Sequence, residues 1–404
     1  MSVEEEGLLF AGLRVLDVGT FIAAPAAAVV LADFGADVIK VEQPGDGDPN
    51  RGIMRSHAYP KSPVNYPWEM DARNKRSIAL DLKHPEGRAA LGRLAARADV
   101  LITNFPIPVR ERTRLRYTDF ADCPRLVYAS LTGYGESGAD RDNPGFDSTA
   151  YFARSGFLDA QRYEGQPPHF ALPASGDRAT AMALVAAIVT ALWRREKTGR
   201  GMQVGTSLLA SGIWSNGVFV QAALLGATLG HRPPRERPRS ALGNLYRTRD
   251  GKWFLLSLPV EDGFWPGLCR VIGRPEIERD PRFTGMPARR ANSAELTRIF
   301  DAAFGAEDWS EVRAKLVRER IVFGMISTCT DVAEDEQARA AGAIVPTAND
   351  DMPWTVAAPI RLGDSKPRPA RKAPRIGEHT DEVLAEDGYS KEEIARLRAA
   401  GAAA

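Results

Sequence analysis

The step Ser175-Gly176-Asp177, with the apolar stretch Arg178 to Glu196 behind it, is where this 404-residue chain offers a nucleophile. Ala179, Met182, Leu184, Val185, Ile188, Val189, Leu192 and Trp193 recur there without proline or interior glycine, and Arg194, Arg195 and Lys197 gather at the far end. That pattern predicts a buried helix. Asp177 falls at its N-terminal edge, where unbonded backbone N–H groups and the helix dipole favour negative charge, so the carboxylate is expected to be ionised near neutral pH. An ionised carboxylate can attack a carbonyl carbon. Asp is also a routine N-cap, so the residue alone does not separate chemistry from capping.

Other chemistries find less support. His57, His84, His169, His231 and His379 show no HExxH or other ligand spacing, and GxSxG is absent. Cys123, Cys269 and Cys329 lie far apart with no CxxC pair, so neither a metal site nor a disulfide framework is expected. Gly133-Tyr-Gly-Glu-Ser-Gly138 matches GxGxxG, but the residues behind it, Ala139-Asp-Arg-Asp-Asn-Pro144-Gly145, are turn formers. Without a helix N-terminus there, the glycines are expected to form a flexible loop and not a dinucleotide site.

The elements that must position Asp177 follow a repeating order. Leu13 to Val18 reads as a strand, Ala23 to Phe34 as an alanine-rich helix and Asp37 to Val41 as a second strand, which is a βαβ unit. Ser77 to Asp81, a helix from His84 to Ala98, and Asp99 to Thr103 repeat it, and Arg125 to Ser130 adds a strand. Such an open α/β sheet places ligands at the carboxyl ends of its strands. Gly19-Thr20-Phe21, Asn104-Phe105 and Thr132-Gly133-Tyr134 occupy those ends. Met202 to Ser207 reads as another strand, leading into an apolar helix from Leu208 to Leu225.

Beyond a proline- and arginine-rich linker at 231–240, a hairpin from Asn244 to Leu256 and helices near Gly263 to Ile272, Ala294 to Phe304 and Asp308 to Glu319 predict a smaller α+β domain. A second linker, 364–375, precedes a short helix and a last one from Ser390 to Ala399. With 53 Lys and Arg against 52 Asp and Glu, the net charge of +1 gives no electrostatic reason for nucleic acid or an acidic membrane as partner. The acidic Met1 to Glu6, the absence of an apolar run near the roughly 20 residues of a membrane span, and the scattered cysteines lead to the expectation of a cytoplasmic protein.

Several blocks together resemble the class III coenzyme A transferases and the related acyl-CoA racemases. They are Leu13-Arg-Val-Leu-Asp-Val-Gly-Thr-Phe-Ile-Ala-Ala-Pro25, Leu31 to Glu42, Asn74-Lys-Arg-Ser-Ile-Ala-Leu-Asp81, Ala98 to Phe105, Gly176-Asp177, Lys197-Thr-Gly-Arg-Gly201 and Gly377 to Leu384. The resemblance implies a Rossmann-like large domain with an open parallel sheet, from 1–230 and 340–404, a smaller α+β domain at 240–335, and an interlocked-ring homodimer. It also implies transfer of CoA from a donor acyl-CoA to an acceptor carboxylic acid, with Asp177 as nucleophile and mixed-anhydride and aspartyl-CoA intermediates. CoA would enter only as part of the substrates, with no permanently bound cofactor.

For CoA binding, the resemblance implies backbone contacts from Thr20, Phe21, Ile22 and Ala23, and phosphate contacts from Asn74, Lys75 and Arg112. Asn104, Phe105 and Tyr134, with Thr132 beside them, would hold the adenine region. Gln43 stands where many relatives have arginine or proline. The racemases of the group use a histidine in a Gly-His-Asp step; here it reads Gly145-Phe146-Asp147, which removes one partner of a two-base mechanism. A catalytically idle subunit of a heteromeric transferase is the other alternative, and it has no chemical need for Asp177. Ile22, Phe146, Phe152, Trp214 and Phe219 suggest an apolar acyl pocket, and Arg51 or Arg55 a hold on a second substrate carboxylate.

Overall fold

Alternating apolar runs and helix patterns build one six-stranded, all-parallel sheet, in a computed structural model that describes residues 7–404. The strands are β1 (Arg14–Asp17), β2 (Asp37–Glu42), β3 (Arg76–Ala79), β4 (Val100–Thr103), β5 (Val127–Thr132) and β6 (Gln203–Ser207), in the order β3-β2-β1-β4-β5-β6. The order reverses between β1 and β4, and the crevice at their carboxyl ends is the switch point at which such sheets take ligands. The helices are α1 (Ala23–Asp33), α2 (Tyr66–Ala72), α3 (Pro85–Ala96), α4 (Ile107–Thr113), α5 (Phe157–Gln161), α6 (Ser175–Thr198), α7 (Leu208–Ser215) and α8 (Gly217–Leu224).

Strands covered on both faces need no polar alternation, and β4 and β5 are buried throughout. On one face α1 packs against α6, with Ala24, Ala27 and Leu31 beside Ala181, Leu184 and Ile188 in one core. Small side chains on α1 let the two helices approach closely. On the other face Leu91 and Leu94 of α3 share a core with Val383, Leu384 and Leu397 near the chain end. The outer edge of β3 is covered, because the His379 N–H donates to Ser77 O (2.8 Å) and the Ala404 N–H to Ala79 O (3.2 Å).

The chain divides into two units: the sheet unit, with the chain up to Leu158, Phe170–Gly226 and Gln337–Ala404, and a second with Asp159–His169 and Ala227–Glu336. The second holds an antiparallel sheet of β7 (Leu245–Arg247), β8 (Trp253–Leu256) and β9 (Phe323–Met325). Helices Glu261–Val271, Ser293–Phe304 and Trp309–Arg318 accompany it, over an aromatic core of Tyr246, Phe254, Phe300 and Phe304.

Three expectations change. The helix expected over 208–225 breaks at Asn216, whose side-chain amide donates to Ser155 O (3.2 Å), leaving α7 and α8. α6 is not buried all round: Val189 and Trp193 are exposed. Contrary to the sequence reading, α6 also has the length and composition of a membrane span, while Leu184, Val185 and Ile188 belong to the core shared with α1.

Candidate active site

The loop after β1 is fixed atom by atom. The Gly19 N–H donates to Asp17 Oδ1 (3.1 Å), and Lys40 Nζ donates to Gly19 O. Asn104, just past β4, grips Thr20 across the switch point: its Oδ1 accepts from the Thr20 N–H and its Nδ2 donates to Thr20 O, both at 2.8 Å. The Phe21 N–H donates to Asp48 Oδ1 (3.0 Å), and Phe21 takes φ +60°, the left-handed region that a side chain of this size avoids. α1 then begins at Ala23 with no side-chain cap on its N-terminus, so its first N–H groups are left as donors.

Beneath the loop lies a buried charge cluster. Lys75 Nζ donates to Asp17 Oδ2 (2.7 Å) and to Pro25 O (2.8 Å), and Lys40 Nζ lies 2.8 Å from Asp48 Oδ2. Burial opposes ionisation of Asp17, yet Lys40 and Lys75 hold its carboxyl below the usual carboxylate range.

Asp177 is the third residue of α6 and not its cap; the capping position belongs to Ala174, at φ +68°. Burial, with Asp147 and Asp71 adding repulsion and Arg178 opposing them, pushes the Asp177 carboxyl up to about 7. This corrects the expectation of a carboxylate fully ionised at neutral pH. The dipole of α6 is outweighed because loss of water penalises the charged form and a second carboxylate stands beside it.

That second carboxylate, Asp147, follows Phe146 and is 7% exposed. Its Oδ1 accepts from the Ser148 N–H (2.7 Å), and its Oδ2 is buried with no hydrogen bond of ordinary geometry among the described residues, though the N–H groups at the start of α6 face it. Burial lifts Asp147, against the backbone N–H groups of Ser148, Gly176, Ala174 and Asp177. The first-turn amides of α6 therefore act on Asp147. Close packing holds this corner: a Cβ on Gly176 would stand 2.7 Å from the Tyr151 ring and 3.0 Å from Asp147 Cβ. Phe146, 58% exposed, meets Phe21 edge-to-face at 5.9 Å.

A family model described as "CoA-transferase family III" matches residues 10–380. This chain belongs to CoA-transferase family III. It is 32% identical over 392 residues to the (R)-2-hydroxy-4-methylpentanoate CoA-transferase of Clostridioides difficile, covering 96% of this chain and 97% of the relative. It is also 32% identical over 403 residues to the cinnamoyl-CoA:phenyllactate CoA-transferase of Clostridium sporogenes, covering 98% and 97%. A solved CAIB/BAIF family protein from Brucella suis superposes with a TM-score of 0.83 at 28% identity, over 94% of this chain and 100% of that one.

Of the residues expected to meet CoA, this family III transferase gathers Thr20, Phe21, Ile22, Ala23 and Asn104 at the switch point, with Phe105 directly after Asn104. Thr132 closes β5, its Oγ1 accepting from the Gly135 N–H (2.9 Å), and the Tyr134 ring packs on Gly145, next to Phe146. Arg112 is exposed in the last turn of α4.

Asn74 and Lys75 spend their side chains on protein partners instead. Both line a cavity of about 1010 Å³ with Ala11, Asp37 and Arg371. Asn74 holds Asp33 Oδ1 (2.9 Å) and the Arg371 N–H (3.0 Å). Lys75 is 5% exposed and its ammonium is bound to Asp17, so the expected phosphate contact gives way to support beneath the loop. Arg51 is likewise committed, to both Glu42 oxygens (2.7 and 2.8 Å) and to the face of Trp68 (3.7 Å). The suggested acyl pocket does not assemble: Ile22 and Phe152 are core, while Trp214 and Phe219 are exposed on α7 and α8.

Sequence reasoning passed over Asp48, Asn50, Asp71, Lys40 and the acid of the Gly145-Phe146-Asp147 step. The last has a signal in its spacing, an acid two residues after Gly145 in the step that carries histidine in the racemases.

Proposed function

We propose that this family III transferase moves CoA from a donor acyl-CoA to an acceptor carboxylic acid through covalent intermediates on Asp177. The observation carrying the reading is the position of that carboxylate. It stands on the first turn of α6, desolvated but titrating near neutral pH, in a chain aligned end to end with named CoA-transferases. One Asp177 oxygen attacks the thioester carbonyl carbon, the C–S bond breaks, and CoA leaves as a thiolate. The thiolate attacks the aspartyl carbonyl of the anhydride, releasing the donor carboxylate and leaving an aspartyl-CoA thioester. The acceptor carboxylate displaces CoA to form a second anhydride, and CoA then attacks the acceptor carbonyl, restoring Asp177. No proton is gained or lost, in keeping with a site without histidine.

The uncapped N–H groups at the start of α1 are the donors offered to the developing oxyanion. CoA contacts are assigned to Thr20, Phe21, Ile22, Ala23, Asn104, Phe105, Thr132, Tyr134 and the exposed Arg112. Phe21 and Phe146 favour an acid with an apolar group, and two relatives act, by name, on 2-hydroxy-4-methylpentanoate and phenyllactate.

The enzyme is proposed to be a cytoplasmic, interlocked homodimer. Trp214, Val218, Leu224 and Leu225, between 74% and 85% exposed on α7, α8 and just beyond, form the kind of apolar surface that a partner covers. Incubation with leucine-derived and aromatic 2-hydroxy acids against several acyl-CoA donors tests the transfer. Deuterium uptake at the acyl α-carbon without exchange of CoA between acids would point to racemisation instead.

A further inference from the structure

A hydrogen-bonded path through three buried side chains joins the loop after β1 to the nucleophile's half-buried neighbour. Phe21 N–H and Asn50 N–H both donate to Asp48 Oδ1, at 3.0 and 2.9 Å. The Asn50 side-chain amide donates to Asp71 Oδ2 (3.1 Å), and the Arg178 guanidinium donates to Asp71 Oδ1. Asp48, Asn50 and Asp71 are 2%, 0% and 1% exposed. Both Asp71 oxygens are thus used, one on the loop side and one on α6.

Buried ion pairs seldom stabilise a fold more than apolar residues of the same size would, so an aspartate inside α2 needs another reason. Arg178 supplies one. It follows Asp177 directly, and a guanidinium paired with the nucleophilic carboxylate would tie up the electrons that the attack requires.

We propose that Asp71 is a positioning residue of the transfer reaction: it captures Arg178, leaving the Asp177 carboxylate unpaired, and couples that arrangement through Asn50 and Asp48 to the substrate loop. The inference rests on Asp177 being the nucleophile. The charged and titratable groups acting on Asp177 are Asp147, Arg178 of its own helix and Asp71 of α2, and Tyr59 in turn feels Asp177. Loss of the Asp71 charge removes one repulsion and releases the cation, and both effects favour the ionised form of Asp177.

The test follows the Asp177 carboxyl directly, by infrared difference titration of the full chain against its Asp177→Asn variant, repeated in an Asp71→Asn background. The midpoint is expected to fall by about one unit, a tenfold change in the proton equilibrium. kcat at pH 8 with an acyl-CoA donor is expected to fall about tenfold, and most of it to return in Asp71→Asn/Arg178→Gln. A midpoint that stays in place, or a kcat loss that Arg178→Gln does not relieve, overturns the proposal. Should Asp71→Asn not fold, Arg178→Gln alone is expected to raise the midpoint, and an unchanged or lower one overturns it. A wild-type chain that titrates as expected, and shifts with Asp71→Asn, yet turns over no acyl-CoA contradicts the transferase reading and not the coupling of Asp71 to Asp177.

Discussion

Asp48 accepts the backbone N–H of Phe21 at 3.0 Å while its other oxygen lies 2.8 Å from Lys40 Nζ, so one buried carboxylate joins a charge cluster to a strained loop. A phenylalanine at φ +60° costs on the order of 1 kcal/mol or more, and it persists where its surroundings over-determine it. Lys40, Asp17, Asp48 and Asn104 supply that determination at the switch point of the sheet.

Asp48→Ala leaves Lys40 buried without one of its two carboxylates, and is expected to cost about 3 to 5 kcal/mol in denaturant unfolding. In the folded fraction, KM for the acyl-CoA should rise about tenfold and kcat should fall as well, because the displaced loop leads into the N–H donors of α1 and is joined through Asn50 to Asp71. A folded variant with unchanged KM would remove the loop from substrate binding.

Gly19→Ala tests the same loop sterically. The added Cβ would stand 2.7 Å from Ala24 Cβ and 3.3 Å from both Asn104 Oδ1 and Asp17 Oδ1, so the start of α1 must shift. A loss of about 1 to 3 kcal/mol in stability is expected, with weakened binding of CoA measured by calorimetry. Wild-type affinity in this variant would speak against backbone recognition there.

The raised Asp177 carboxyl ties activity and stability to pH in opposite directions. The nucleophile must be ionised, so kcat/KM should climb as pH rises through about 7 and level off above it. Between the unfolded value of 3.8 and about 7 the folded state holds more of this proton than the unfolded state, so its contribution to stability declines as pH rises. Asp177→Asn should therefore stabilise the protein by about 1 to 3 kcal/mol at pH 8 and by much less at pH 4. Thermal melts at the two pH values check the sign; equal melting temperatures of the two proteins at pH 8 would contradict a strained carboxylate.

On the surface, Trp214→Glu or Leu225→Glu places a charge in the exposed apolar strip of α7, α8 and the residue after it. Light scattering should find a dimer in the wild type and loss or weakening of it in the variants. A wild-type monomer at micromolar concentration would refute the proposed assembly.

The parallel strands, α1, and the residues at the strand ends were legible because a βαβ rhythm fixes them locally; β1 differs by only a residue or so at each end from the expected 13–18. Asp177 was legible as a charge at a helix start, but its ionisation was not, since that depends on Asp147 and Asp71 arriving from elsewhere in the chain. The same holds for the network. Phe21 and Asp48 are 27 residues apart, Asn50 and Asp71 are 21, and Asp71 and Arg178 are 107. No local periodicity encodes such pairings. Lys75 was misplaced for a related reason: a lysine in a polar tetrad reads as exposed, and only the fold turns its ammonium inward onto Asp17.

The covalent role of Asp177 can be read from mass spectrometry of the peptide that carries it. After incubation with a donor acyl-CoA and quenching, or trapping with hydroxylamine, a CoA or acyl adduct, or the hydroxamate, is expected on Asp177, and none in Asp177→Asn. Transfer of CoA between acids with Asp177 unmodified, or undiminished in Asp177→Asn, would contradict it.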